Sequence, residues 1–166
     1  MSKIVFFCIP AYGHTNPTLG VVRELIARGH EVRYYSYEPM RTLIEAAGAQ
    51  FVAFDPHDCE QHLTPADGAR VGKDIAFSTH ILVETTLALD EMVCADMRAY
   101  APDCIVADSM AVWGKAVAKK LGIPFISSTT TFAFNRYSAK VMKQSGGQTY
   151  TLQNADGETV GTWTPA

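Results

Sequence analysis

The alternation that opens the chain restricts its fold more than any other feature. Residues 3 to 9, KIVFFCI, form a continuous apolar run rich in β-formers, as expected of a strand covered on both faces. A helical pattern follows, with Leu19, Val22, Leu25 and Ile26 on one face, Arg23, Glu24 and Arg28 elsewhere, and Gly29 as its stop. HEVRYYSY then reads as a second strand, PMRTLIEAAG as a short helix closed by Gly48, and AQFVAF as a third strand. Three strands and two helices within about fifty residues imply parallel pairing, because parallel neighbours are joined only by a crossover long enough to hold a helix. Asn16 is placed to cap the first helix, with Pro17 at its first position, where a missing N–H costs nothing.

The pattern continues after an interruption. Residues 55 to 72 are polar and carry Pro56, Pro65 and Gly68, the signature of a long loop. A helical stretch runs from Lys73 to Tyr100 past Ile81, Leu82, Leu89, Met92, Val93 and Met97. PDCIVAD is a fourth strand ending at Asp108, MAVWGKAVAKKLG a helix with Lys119 and Lys120 in its last turn and Gly122 as its stop, and IPFISST a fifth strand. TFAFNRYSAKVMKQSGG has a helical composition, and QTYTLQNADGETVGTWT reads as two short strands around Asn154 to Gly157. The expectation is one α/β domain over residues 1–166, a doubly wound, Rossmann-like parallel sheet. Its regular part reaches about residue 135, and 136–166 form a less regular tail.

Several function classes are disfavoured. A net charge of −3, with Lys and Arg dispersed along the chain, leaves no basic footprint for nucleic acid. Cys8, Cys59, Cys94 and Cys104 lie far apart with no Cys-x-x-Cys pair, so they read as reduced thiols of a cytoplasmic protein. The apolar start leads into Pro10, Gly13 and His14 without a small-residue cleavage pattern. Nothing approaches the roughly 18 apolar residues of a spanning helix, and no membrane span is expected.

Topology points to a site. In open parallel sheets ligands bind beyond the carboxyl ends of the strands, where the strand order reverses. In the order 3-2-1-4-5 that reversal lies between strands one and four, so His14, just past strand one, and Asp108, at the end of strand four, are expected neighbours. An imidazole titrates near neutral pH, and a carboxylate on one ring nitrogen fixes its tautomer and leaves the other as a base. Gly13 would let the backbone turn sharply beside it. Each residue also has a plainer reading: His14 as a polar loop residue, and Asp108 as the cap of the next helix.

Other constellations are weaker. G-x-G-x-x-G after strand one, G-x-x-x-x-G-K-[ST] and G-x-S-x-G are all missing, so dinucleotide, P-loop and α/β-hydrolase readings lack their signatures. His57, Cys59 and His62 lie close together in HDCEQH, but with no fourth ligand evident they read as a solvated loop and no metal is expected. STTTF, from Ser128 to Phe132, sets hydroxyls on the rim that holds His14, equally suited to satisfying loop backbone. Tyr12, Phe77, Met110, Phe132 and Phe134 are candidate linings of an apolar pocket near the pair. Trp113 belongs with them by position but suits the core best. As a set they suggest an apolar ligand.

Three stretches carry a family resemblance: GHTNPTLGVVRELIARGHEVRYYS after strand one, AGAQFVAF at strand three, and PDCIVADSMAVWGKAVAKKLGIPFISSTTTFAFN from strand four onward. In order and spacing they resemble the N-terminal, acceptor-binding domain of two-domain GT-B glycosyltransferases of the macrolide and UDP-glycosyltransferase type. The resemblance covers most of residues 3 to 135. It implies that His14 is the base that deprotonates an acceptor hydroxyl, and that Asp108 orients and charges it. The hydroxyl would then attack the anomeric carbon of a nucleotide sugar with inversion. It further implies an apolar small-molecule acceptor, no metal and no cofactor of its own. The nucleotide-sugar donor would bind a C-terminal domain that this chain lacks, so the chain alone is expected to be inactive. Two rivals stay open: a stand-alone module that binds a small molecule or partner subunit without catalysis, and a flavodoxin-like or nucleotide-binding domain.

Overall fold

The structure, a computed structural model, describes residues 1–54, 70, 74–130, 150–153 and 159–163. Two compact units divide the chain, one made of Met1–Gln61 and Leu82–Thr130, the other of His62–Ile81 and Thr131–Ala166.

The first unit is built on a sheet of β1 (Lys3–Phe7), β2 (Glu31–Ser36), β3 (Gln50–Ala53), β4 (Cys104–Asp108) and β5 (Phe125–Ser128). Its order is β3-β2-β1-β4-β5 and every pair is parallel, the topology expected from the alternation. Phe7 pairs with Tyr35 on one side and with Ala107 on the other. The ends of β1 and β4 are therefore level, one residue short of Asp108.

Connections run through α1 (Tyr12–Ala27), a short 3₁₀ turn (Glu38–Met40) with α2 (Arg41–Ala46), α3 (Ile75–Tyr100) and α4 (Val112–Leu121). Alternation along β1 divides the core in two. Ile4, Phe6 and Cys8 pack with Leu19, Val22, Tyr34, Met40 and Ile44 on one face. Val5 and Phe7 pack with Tyr35, Phe54, Leu89, Val93, Met97, Ile105 and Trp113 on the other. Fully burying each large apolar side chain is worth about 1.5–3 kcal/mol, so two-sided coverage is what the apolar run of β1 was selected for physically.

The start of α1 corrects one expectation. The helix begins at Tyr12 with Ala11 as its N-cap and no side-chain cap. The Ala11 carbonyl accepts from the His14 and Thr15 amides at 2.9 Å each, so the first turn closes directly after Pro10. Asn16 is exposed and caps nothing, and Pro17 lies inside the helix. Gly13 is corrected with it: it is helical, its φ is not positive, and a Cβ there would meet nothing within 4 Å. Left-handed backbone instead occurs at Gly29, Gly48 and Gly122, with φ of 82°, 91° and 69°, where each helix stops as its sequence predicts.

Gly114 marks a close approach of helix to sheet. A Cβ there would stand 2.6 Å from Ala107 Cβ and 2.9 Å from Phe7 Cδ2, so α4 lies directly on β1 and β4.

In the second unit, Asp74 caps the start of α3 by accepting from the Phe77 amide at 2.9 Å. Arg70 pairs with Asp74 at 3.1 Å and stacks its guanidinium 4.2 Å from the Phe77 ring centre. These contacts, the Phe77 amide first, hold the Asp74 carboxyl below the ordinary range. β6 (Tyr150–Gln153) and β7 (Thr159–Trp163) form an antiparallel pair, as the sequence suggested.

Candidate active site

Two elements from opposite ends of the first unit's sequence meet where the strand order reverses. His14, on the first turn of α1, places Nδ1 2.9 Å from Oδ2 of Asp108 at the end of β4, 94 positions away. The Asp108 side chain is fully buried and His14 keeps 26% of its surface exposed. The carboxylate is thus screened from water while the imidazole faces the rim.

The loop after β4 holds the carboxylate from the other side. Asp108 Oδ1 accepts from the Met110 amide at 2.8 Å, and its carbonyl accepts from the Ala111 amide at 2.9 Å. The plainer sequence reading of Asp108 as a turn-forming residue therefore coexists with its contact to His14. Each carboxylate oxygen has its own donor, which fixes the plane of the group. With Nδ1–H donating to Asp108, the lone pair sits on Nε2, so the imidazole can accept a proton there. Thr130 Oγ1 lies 3.3 Å from the same Nδ1, at the edge of hydrogen-bonding distance.

The apolar candidates separate. Tyr12 (59% exposed) and Met110 (38%) stand on the two segments that carry His14 and Asp108, and Val112, also exposed, joins them. Trp113 is a core residue, 1% exposed, with its indole edge-on to Phe54 at 5.9 Å between centroids. Phe77 belongs to the second unit and stacks under Arg70. Phe132 and Phe134 lie outside the described residues, as do His57, Cys59 and His62. Among the described residues no group of three or more His, Cys, Asp or Glu side chains is arranged to hold a metal ion. No helix among them is long and apolar enough to cross a membrane.

Sequence reasoning missed the residues beneath His14. Cys8, Thr15, Thr18 and Tyr34 are all buried there with their polar atoms bonded to one another. A signal existed: Phe6 pairs with Tyr34, so Cys8, two residues on, shares their face of the sheet. Burial raises the Cys8 thiol to about 11. Tyr34 is raised as well, again by burial first.

No protein-family model matches the chain. Over 149 residues it is 36% identical to demethyllactenocin mycarosyltransferase of Streptomyces fradiae, covering 84% of this chain and 32% of that protein. It is 32% identical over 133 residues to an NDP-glycosyltransferase of Bacillus subtilis, covering 76% of this chain and 31% of that protein. Among solved structures, the glycosyltransferase of kitacinnamycin aligns with a TM-score of 0.67 at 22% identity, over 87% of this chain and 34% of its own. The chain spans about a third of the length of the curated relatives it matches.

Proposed function

Because this chain belongs to the glycosyltransferases of GT-B fold, of macrolide and NDP-sugar type, we propose that it is the acceptor-binding, base-carrying part of an inverting O-glycosyltransferase. The observation that carries this reading is the 2.9 Å contact of His14 Nδ1 with the buried Asp108 carboxylate.

The reaction needs a base that is free on one side and held on the other. Nε2 of His14 takes the proton of an acceptor hydroxyl as that oxygen bonds to the anomeric carbon of the sugar. The bond from that carbon to the nucleoside diphosphate breaks with its electron pair leaving on phosphate, and attack opposite the leaving group inverts the centre. Asp108 offsets the positive charge that develops on the imidazole, worth more in a water-poor pocket than in bulk solvent. General base catalysis of this kind contributes about a hundred- to ten-thousand-fold.

The acceptor is an apolar small molecule in this reading, supported by Tyr12, Met110 and Val112 exposed on the segments flanking the pair. A sugar nucleotide is the co-substrate, supported by the similarity to the NDP-glycosyltransferase of Bacillus subtilis. Its diphosphate is held outside this chain, which carries no glycine-rich phosphate signature.

His14→Ala, assayed by acceptor glycosylation in a protein that joins this chain to a donor-binding domain, lowers turnover at least a hundredfold. A loss under threefold refutes the role.

A further inference from the structure

The turn that carries His14 is poorly secured by its own backbone. Ala11 gives it no side-chain cap and no acidic residue sits in its first turn. Pro17 removes the N–H that would bond to the Gly13 carbonyl. A base that must stay within 2.9 Å of a fixed carboxylate needs another anchor.

Four buried polar groups lie directly below. Thr15 Oγ1 donates to Cys8 Sγ at 3.8 Å. Thr18 Oγ1 donates to the Thr15 carbonyl at 2.7 Å and lies 2.7 Å from the Tyr34 hydroxyl. Thr15 and Tyr34 are 0% exposed, Cys8 1% and Thr18 4%.

The donor directions follow from counting protons. Each of these groups has one hydrogen to give. That of Thr18 goes to the Thr15 carbonyl, so Tyr34 must donate to Thr18. The Thr15 hydroxyl donates to Cys8 Sγ. Two links therefore meet at Thr15: Tyr34 through Thr18 to its carbonyl, and its own hydroxyl to Cys8, just past the end of β1. Burial keeps the Tyr34 phenol protonated, so it retains the hydrogen it donates. Buried networks of this kind stiffen their members, and a broken one leaves buried polar groups unpaired.

We propose, on the reading of His14 as the base, that these buried hydrogen bonds pin the first turn of α1 to β1 and β2 and hold the imidazole on Asp108. Tyr34 and Thr18 are its positioning residues. Neither touches the reacting atoms; both act through Thr15, the neighbour of His14.

The test uses this 166-residue chain with ¹⁵N-labelled histidine, reading the His14 tautomer by NMR and backbone amide exchange in parallel. In the unsubstituted chain His14 holds one tautomer, with Nδ1 protonated. Tyr34→Phe keeps the ring that stacks 5.4 Å from Phe6 and removes only the hydroxyl, while Thr18→Val keeps shape and removes the other. Either change gives a mixed tautomer and at least tenfold faster exchange of the His14 and Thr15 amides, with amides of β4 and α4 changing less than twofold. Thr18→Ser restores the original behaviour. An unaltered tautomer and unaltered exchange in Tyr34→Phe overturns the proposal, and so does a rise of equal size throughout the unit. If Thr18→Val does not fold, Tyr34→Phe and Thr18→Ser decide. Undiminished turnover of His14→Ala would sink the base assignment and leave these readings unmoved, so the two failures are distinguishable.

Discussion

One methyl group at Gly114 measures how closely α4 must ride on the sheet. An alanine Cβ there would stand 2.6 Å from Ala107 Cβ and 2.9 Å from Phe7 Cδ2, where carbons ordinarily rest about 3.5–4.0 Å apart. Ala107 has no rotamer to change. Phe7 is 1% exposed and set against Tyr35 and Phe54, with centroids at 5.0 and 6.1 Å. The helix must therefore retreat by about 1 Å. Overpacking of this kind costs about 1–3 kcal/mol, and the helical preference for alanine returns up to about 1 kcal/mol. The net is a loss near 1 kcal/mol. Gly20→Ala is the control, because that glycine is also helical and a Cβ there meets nothing within 4 Å; it gains about 0.5–1 kcal/mol. Urea unfolding followed by Trp113 fluorescence reads both, with Trp163→Phe as background because the chain has two tryptophans. At about 1–3 kcal/mol per molar urea, the Gly114 midpoint falls and the Gly20 midpoint rises. Equal gains at both positions would refute the close-packing argument.

Three further outcomes follow from the same geometry. Asp108→Asn lowers turnover less than His14→Ala does and turns an amide toward Nδ1, so ¹⁵N NMR of His14 finds the Nδ1–H tautomer no longer dominant; an unchanged tautomer removes Asp108 from the mechanism. Raised from 9.0 to about 11, the Cys8 thiol is about a hundredfold poorer in thiolate at pH 8 than an unperturbed one. Alkylation of Cys8 in the folded chain is then at least that much slower than after urea unfolding, and comparable rates would mean the thiol is open to solvent. At the start of α3 the Asp74 carboxyl is lowered by the Phe77 amide and Arg70. A depressed folded value means stabilisation present above the unfolded value and lost as pH falls through the folded one. The Phe77 amide shift should therefore titrate with a midpoint below about 3.9, and a midpoint at or above that value rejects the cap.

The sheet was legible because its constraints are coarse. A period-one apolar run such as KIVFFCI, a helix-length spacer and a second run leave parallel pairing as the only economical arrangement, and strand order then put His14 opposite Asp108. The start of α1 was misread for a local reason. Asn16 followed by Pro17 looks like a cap and a first position, yet a proline in the second turn costs only one bond, while burial of Thr15 and Thr18 draws the helix one turn earlier. That choice depends on a tyrosine in β2, and no window along α1 contains it. Trp113 was ambiguous for a similar reason: its burial against Phe54 is set by the first turn of α4 and the end of β3, which meet only in the fold.

The proposed role of His14 as a base gives its place on a helix a physical reason. A histidine in a loop would hold its distance to Asp108 only as well as the loop is ordered, and proton transfer degrades steeply with misplacement of about 1 Å. On the first turn of α1, His14 is held by the Ala11 carbonyl and by the bonds that tie Thr15 to Cys8 and, through Thr18, to Tyr34. Asp108 inherits the rigidity of β4 through Ala107 and the amides of Met110 and Ala111. β1 and β4 are paired in register, so the segments that carry the two groups leave the sheet from adjacent, level strand ends. Side chains on the rim, Tyr12, Met110 and Val112, carry no part of that load. On the proposed reading they line the acceptor site, so Met110→Ala should change KM among acceptors with little effect on kcat for those that still bind, while the 2.9 Å contact stays.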